Sequence, residues 1–245
     1  MRKGKLGILC VTYKQPFMET ELYLSLVHST YIKDLIIFNF FNGSKFDRII
    51  ETDSFTEEET TKNGGLALGY NKGIDYCRDK VESIVFFNSD CSVTDDIFEA
   101  YFNNLKEKNF NVFVPTLICR NRIISPFKKT GLDYDFYIIS WMQMNTNCLK
   151  DYKFSDKYWL DGIDYELSEW INLNGIKVKI FDKKCTHDLS ILDNYKGTPD
   201  WRILNIYMSE KNFLKDNYRY GLLKGIIRAL WHKRFNLVQQ LVRLW

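Results

Sequence analysis

Apolar residues fall in short unbroken runs separated by polar turns over the first 120 positions. Residues 6–12 (Leu-Gly-Ile-Leu-Cys-Val-Thr), 35–41 (Leu-Ile-Ile-Phe-Asn-Phe-Phe), 84–88 and 111–118 have no strict polar alternation. Such runs suit strands buried on both faces of a parallel sheet. Between them, Leu22, Leu26 and Ser29 recur at helical spacing behind Pro16, a residue that fits a first helical turn. Residues 66–78 follow Asn63-Gly64-Gly65 as a second helix, and Asp95-Asp96 open a third, with acids where the helix dipole favours them. Strand alternating with helix predicts an α/β fold with a mostly parallel sheet flanked by helices. The acidic, Thr-rich stretch 52–62 reads as an exposed connection.

The pattern then loosens. A strand is expected over 136–144, a helix over 163–173 closed by Asn174-Gly175, and a strand over 176–181. Beyond Ser190 the chain turns helical, which divides it into a body, 1–190, and a C-terminal helical, basic amphipathic extension, 191–245. In that extension Leu223, Ile226, Ile227 and Leu230, then Leu237, Val238, Leu241 and Leu244, recur at helical spacing with basic residues between them. Two readings stand for this stripe. It attaches to an anionic membrane face, or it packs on the body or on a second subunit as an oligomer contact.

Charge sharpens the division. The formal net charge is +3, yet Arg219, Lys224, Arg228, Lys233, Arg234 and Arg243 follow Asp216 with no acid among them. Those six exceed the net charge, so the rest of the chain is net negative. A basic surface confined to a tail argues against a nucleic-acid partner. The six cysteines are scattered without a C-x-x-C pair, which removes zinc-ribbon and thioredoxin readings and predicts free, mostly buried thiols of a reducing, cytoplasmic setting. No run approaches the roughly 18 apolar residues of a membrane span. The expected localisation is cytoplasmic, with peripheral attachment to the inner face of the cell membrane if the tail serves it.

Candidate chemistry begins where the run Ile84-Val85-Phe86-Phe87 stops on Asn88-Ser89-Asp90. A carboxylate just past a buried parallel strand stands where open α/β sheets bind ligands. Four further segments follow a recognisable order. They are Cys10-Val11-Thr12-Tyr13, the Gly-rich stretch from Asn63 through Gly65 and Asn71 to Ile74, Trp159-Leu160-Asp161-Gly162-Ile163-Asp164-Tyr165-Glu166, and Thr186-His187-Asp188. The Gly-rich stretch lacks a G-K-[S/T] ending, and no G-x-G-x-x-G follows the first strand, so NTPase and dinucleotide-binding readings fail.

Together these landmarks resemble family 2 glycosyltransferases of the GT-A fold, most closely their rhamnosyltransferase-like branch, over residues 6 to 190. The resemblance implies an inverting, metal-dependent transfer of a sugar from a nucleotide-sugar donor to a surface-polysaccharide or lipid-linked glycan acceptor. It implies Mn²⁺ or Mg²⁺ held by Asp90 and His187. Donor contacts would come from Thr12, Tyr13, Asn42, Asn63, Gly65, Asn71, Asn88 and Asp90, with the glycines letting the helix approach the donor. The general base is Asp164, with Asp161 as its rival because first-turn acids are also common helix caps. dTDP-rhamnose is the first-choice donor, and UDP-hexose or UDP-galactofuranose the second. The chain departs from the family at Phe41, where an Asp usually reads the base and Asn42 or Asn39 would have to substitute, and at Trp170, where an Arg is usual. The Phe41 departure motivates a reading of another class, a catalytically silent glycan-binding or scaffold protein with the same fold.

Overall fold

A computed structural model describes residues 5–128, 132–187, 197–214 and 217–245. Strands β1 (Leu6–Tyr13) and β2 (Leu35–Asn42) pair in parallel, and α1 (Glu21–Val27) connects them. β3 (Arg48–Glu51) and β4 (Phe55–Thr60) follow as a hairpin, with β4 parallel to β2. Next come α2 (Gly65–Cys77), β5 (Ser83–Phe87), α3 (Asp95–Asn104) and β6 (Val112–Cys119). The short strands β7 (Arg122–Ser125), β8 (Phe127–Lys128), β9 (Asp135–Phe136) and β10 (Gln143–Asn145) lead to α4 (Ile163–Leu173) and β11 (Val178–Thr186). Helices α5 (Asp200–Phe213), α6 (Asn217–Trp231) and α7 (Phe235–Leu244) complete the chain.

The main sheet runs β11-β6-β10-β5-β1-β2-β4-β3, with β7 beside β6. β10 is antiparallel to both β5 and β6, so β5 and β6 point the same way. The carboxyl ends of β1, β2, β5, β6 and β11 therefore share one edge. β2 and β5 are buried at every residue, as their unbroken apolar runs require. α2 lies close on the sheet because Gly69 sits against Val11 and Phe40, and Gly73 against Leu9 and Phe38. Gly69 and Gly73 thus serve helix–sheet contact.

Two expectations need correction. Residues 52–62 are not an exposed connection. They hold β4, in which Glu57 and Glu59 are buried. Each acid has donors that offset its burial: Asn39 Nδ2 reaches Glu57 Oε2 at 2.7 Å, while Arg48 Nη2 and Ser44 Oγ donate to Glu59 at 2.7 and 2.5 Å. Nor is 136–144 one strand. In its middle three successive N–H groups go to side chains, Tyr137 N–H to Ser168 Oγ, Ile138 N–H to Ser125 Oγ and Ile139 N–H to Asp164 Oδ1, while Trp141 N–H donates to Phe86 O. Only its two ends pair, Phe136 in β9 with β8 and Gln143-Met144 in β10.

The boundary expected at 190 falls among residues outside those described. Ile203, Phe213, Leu222, Leu237 and Leu241 of the helical extension belong to the same apolar core as the strands. The six cysteines carry no disulfide, and all but the half-buried Cys148 are buried.

Candidate active site

The common strand edge carries most of the residues singled out in the sequence. β5 ends at Phe87 and hands the chain to Asn88 and the exposed Asp90. β11 ends at Thr186, and His187, buried, is held by its N–H on Ile118 O at 3.0 Å. The Asn88 Nδ2 and His187 Nε2 atoms lie 3.5 Å apart. Asp90, Cys91 and His187 each offer one ligand atom within 4.8 Å of the others. Burial pushes the Cys91 thiol up to about 12, and a soft sulfur is a poor match for a hard cation that takes oxygen ligands. A carboxylate and an imidazole remain, a donor pair that suits Mn²⁺ and is compatible with Mg²⁺. Asp188, next to His187 in the sequence motif, lies outside the described residues.

Asp164, in the first turn of α4, and Asp161, just before that helix's cap, reach the same place. Gly162 caps that helix at φ +101°, a left-handed turn that favours glycine, and a side chain there would press on Tyr158 and Ser209. α5 braces the turn: Ser209 Oγ donates to Asp161 O at 2.7 Å, and Asp161 N–H donates to Asn205 Oδ1 at 3.2 Å. The Asp164 Oδ1 atom accepts from Ile139 N–H at 2.9 Å, so the loop before β10 helps orient this carboxylate. Burial, and secondarily the charge of Asp164, raises Asp161 from 3.8 to about 6 against the opposing pull of Arg202. One Asp161 oxygen, Oδ2, is sealed from solvent without a hydrogen-bond partner among the described residues.

Asn88, Asp90, Asp161, Asp164 and His187 all line one cavity of about 280 Å³. A second cavity, of about 600 Å³, is bounded by Thr12, Tyr13, Asn42, Asn63, Gly65, Trp159 and Trp201. The two share Leu66, Leu160 and Arg202. Ten of the expected residues thus gather around two adjoining cavities.

Asn71 does not. It is buried, and its amide is spent on Phe154, donating to that residue's carbonyl and accepting from its N–H, both at 2.9 Å. Gly65, at φ +78°, borders the larger cavity but faces Trp159, whose backbone oxygen and indole occupy the space a Cβ would need. Leu66 N–H donates to Trp159 O at 2.8 Å. The amides near Phe41 are also engaged. Asn42 Oδ1 accepts from Gly64 N–H at 2.8 Å, and Asn39 Nδ2 donates to Thr12 and Glu57, leaving Asn39 Oδ1 a buried acceptor without a partner among the described residues.

Sequence reasoning missed α5. Arg202, Ser209 and Glu210 come from a segment read only as an amphipathic tail. The Trp201-Arg202 pair directly after Pro199-Asp200 was the available signal.

No family model matches the chain, and no curated protein does. Solved structures do. TarS 1–349 from S. aureus in complex with UDP matches at TM-score 0.57 and 16% identity, over 85% of this chain and 66% of that one. A longer TarS structure matches at 0.56 and 15%, over 87% and 44% respectively. Mannosyltransferase PcManGT from Pyrobaculum calidifontis, in complex with GDP-Man and Mn²⁺, matches at 0.60 and 13%, over 99% and 86%. The chain therefore spans just under two thirds of the UDP-bound TarS chain and less than half of the longer one. At such identities the likeness is one of architecture: the chain has the GT-A-like fold of these proteins, a mostly parallel sheet flanked by helices with a helical C-terminus.

Proposed function

We propose that the protein is a metal-dependent, inverting glycosyltransferase that moves a sugar from a nucleoside diphosphate donor to a hydroxyl of a surface-glycan acceptor. The observation that carries this reading is the pair of adjoining cavities joined through Leu66, Leu160 and Arg202. A donor laid across them meets aromatic rings and strand-end polar groups at its nucleoside end. Its diphosphate meets Arg202, Asp90 and His187, and its sugar the carboxylates of Asp161 and Asp164. The Trp159 and Trp201 rings, 5.9 Å apart and edge-to-face, supply the apolar faces on which a flat base rests.

Asp90 and His187 are the residues to hold Mn²⁺ or Mg²⁺. A divalent cation there neutralises the charge that builds on the diphosphate as the glycosidic bond breaks. Asp164 takes the acceptor's proton as that oxygen attacks the anomeric carbon. The bond from that carbon to the diphosphate oxygen breaks on the opposite face, and the nucleoside diphosphate leaves with the electron pair. No second carboxylate is needed as nucleophile, in contrast to a retaining hydrolase. Asp164 is preferred to Asp161 as base because a base must touch the proton it removes, and one Asp161 oxygen is sealed.

The sequence resemblance points first to dTDP-rhamnose, then to a UDP-hexose or UDP-galactofuranose. The ligands in the structures of similar fold, UDP and GDP-Man, add a guanosine donor to those that must be tried. Thermal shift with each donor, in Mn²⁺, in Mg²⁺ and in chelator, tests the reading. At a ligand concentration of 100 Kd, binding stabilises the native state by about 2.7 kcal/mol. One donor should raise Tm with metal and lose the effect with chelator. No shift with any donor in the presence of metal sinks the reading.

A further inference from the structure

The helical extension carries two apolar faces, and only one is packed among the described residues. On α6 the inner face packs: Tyr218, Leu222 and Ala229 are buried, and Gly225 lies against Tyr207. The outer face carries Tyr220, Leu223, Ile227, Leu230 and Trp231 at spacings of three, four, three and one, a single stripe on a 3.6-residue helix. All five are exposed, from 42% at Leu223 to 85% at Trp231. Phe235, at the first position of α7, is exposed as well. The stripe expected from the sequence is thereby split. Its α7 part, Leu237 and Leu241, is core, while Leu223, Ile227 and Leu230 face outward.

We propose that this outer face of α6 docks on an anionic phospholipid surface. Single exposed apolar residues are ordinary, but a contiguous row ending in an almost fully exposed tryptophan marks an interaction site. The charge around it selects the partner. Arg219, Lys224, Arg228, Lys233 and Arg243 stand on or beside the two helices, and no acid follows Asp216. Lys224 Nζ lies 4.3 Å from the Tyr220 ring centroid, which places a cation within the stripe itself. Aromatic and aliphatic side chains interleaved with lysine and arginine are the composition of helices that lie in a membrane interface. A second copy of the same face would bring like charges together, and a neutral lipid surface would leave them unmatched. No described helix is long and apolar enough to cross a membrane, so the helix lies on the surface. α5, which carries Arg202, Ser209 and Glu210 to the catalytic cavity, belongs to the same helical layer. A membrane-docked enzyme thus keeps that cavity near a lipid-linked acceptor.

The test is co-sedimentation of the full chain with phosphatidylcholine vesicles and with vesicles that also contain phosphatidylglycerol. It needs no donor, so its outcome is independent of the catalytic reading. The wild type should sediment with the anionic vesicles alone, and added salt should release it. Ile227→Glu with Trp231→Glu, and separately Lys224→Glu with Lys233→Glu, alter only exposed side chains. Each pair should weaken binding roughly tenfold or more, with an unchanged melting temperature. A wild type that stays in solution, binding that salt does not weaken, or full binding by folded variants overturns the proposal. So does a wild-type dimer that Ile227→Glu with Trp231→Glu converts to monomer while neither form binds vesicles.

Discussion

The Asn88 side-chain amide stands 3.5 Å from the His187 imidazole, two groups 99 positions apart in the sequence. The sheet order makes them neighbours, because β5 and β11 run in the same direction and end at one edge. Asp90 then falls within ligand reach of His187. If these two side chains hold the cation, Asp90→Ala and His187→Ala should each weaken Mn²⁺ binding by at least about tenfold. Calorimetric titration of Mn²⁺ checks this. Unchanged affinity in both variants would remove the site.

Asp164→Asn keeps the shape of the side chain and its contact with Ile139 N–H while abolishing its basicity. Turnover should fall by about 10²–10⁴-fold, the usual contribution of a positioned base, with donor affinity unchanged. Steady-state rates and donor binding measured side by side separate the two effects. If Asp161→Asn loses turnover and Asp164→Asn does not, the roles are reversed.

Asp161 makes a prediction about stability. Burial raises its folded pKa to about 6 from 3.8, so between those values the native state binds more protons than the unfolded chain. Stability therefore falls as pH rises through that window, and the cost of the buried charge is fully present above it. Asp161→Asn should raise stability above pH 6 by up to about 3 kcal/mol, and the gain should vanish below about pH 4. Denaturant midpoints across pH are the measurement. A gain that is independent of pH would refute the buried charge as its source.

Gly65 is held at φ +78° against Trp159. Gly65→Ala adds a Cβ where the tryptophan's backbone oxygen and ring already lie, and also the left-handed penalty of about 1–2 kcal/mol. We expect destabilisation beyond that figure and a shift in tryptophan emission as Trp159 moves. A variant with normal stability and emission would show that the α2 terminus is not locked by this contact.

Much of this was legible from local pattern. The buried strands β1, β2, β5 and β6 and helix α4 come from unbroken apolar runs and helical spacing that match their observed burial. β4 was not legible, because Glu57, Glu58 and Glu59 read as solvated surface. Only the fold supplies the Asn39, Arg48 and Ser44 donors that let two of them be buried. The 136–144 run failed for the opposite reason. Its apolar side chains are buried as a strand's would be, but Ser125, Asp164 and Ser168 take the place of a neighbouring strand. In the site, Asp90, His187, Asp161 and Asp164 could be named because each sits at an element end. Asn71 could not be told from a ligand contact, since its partner Phe154 is 83 positions away.

The central claim is metal-dependent transfer from a nucleotide sugar. Its most direct test is release of nucleoside diphosphate from the donor that shifts Tm, measured with glycan acceptor in Mn²⁺, after chelation, and after Mn²⁺ is restored. The account predicts release that stops with the chelator and returns with the metal. Donor binding without any release would mark a silent glycan- or nucleotide-binding protein, and release that continues unchanged in chelator would contradict the roles given to Asp90 and His187.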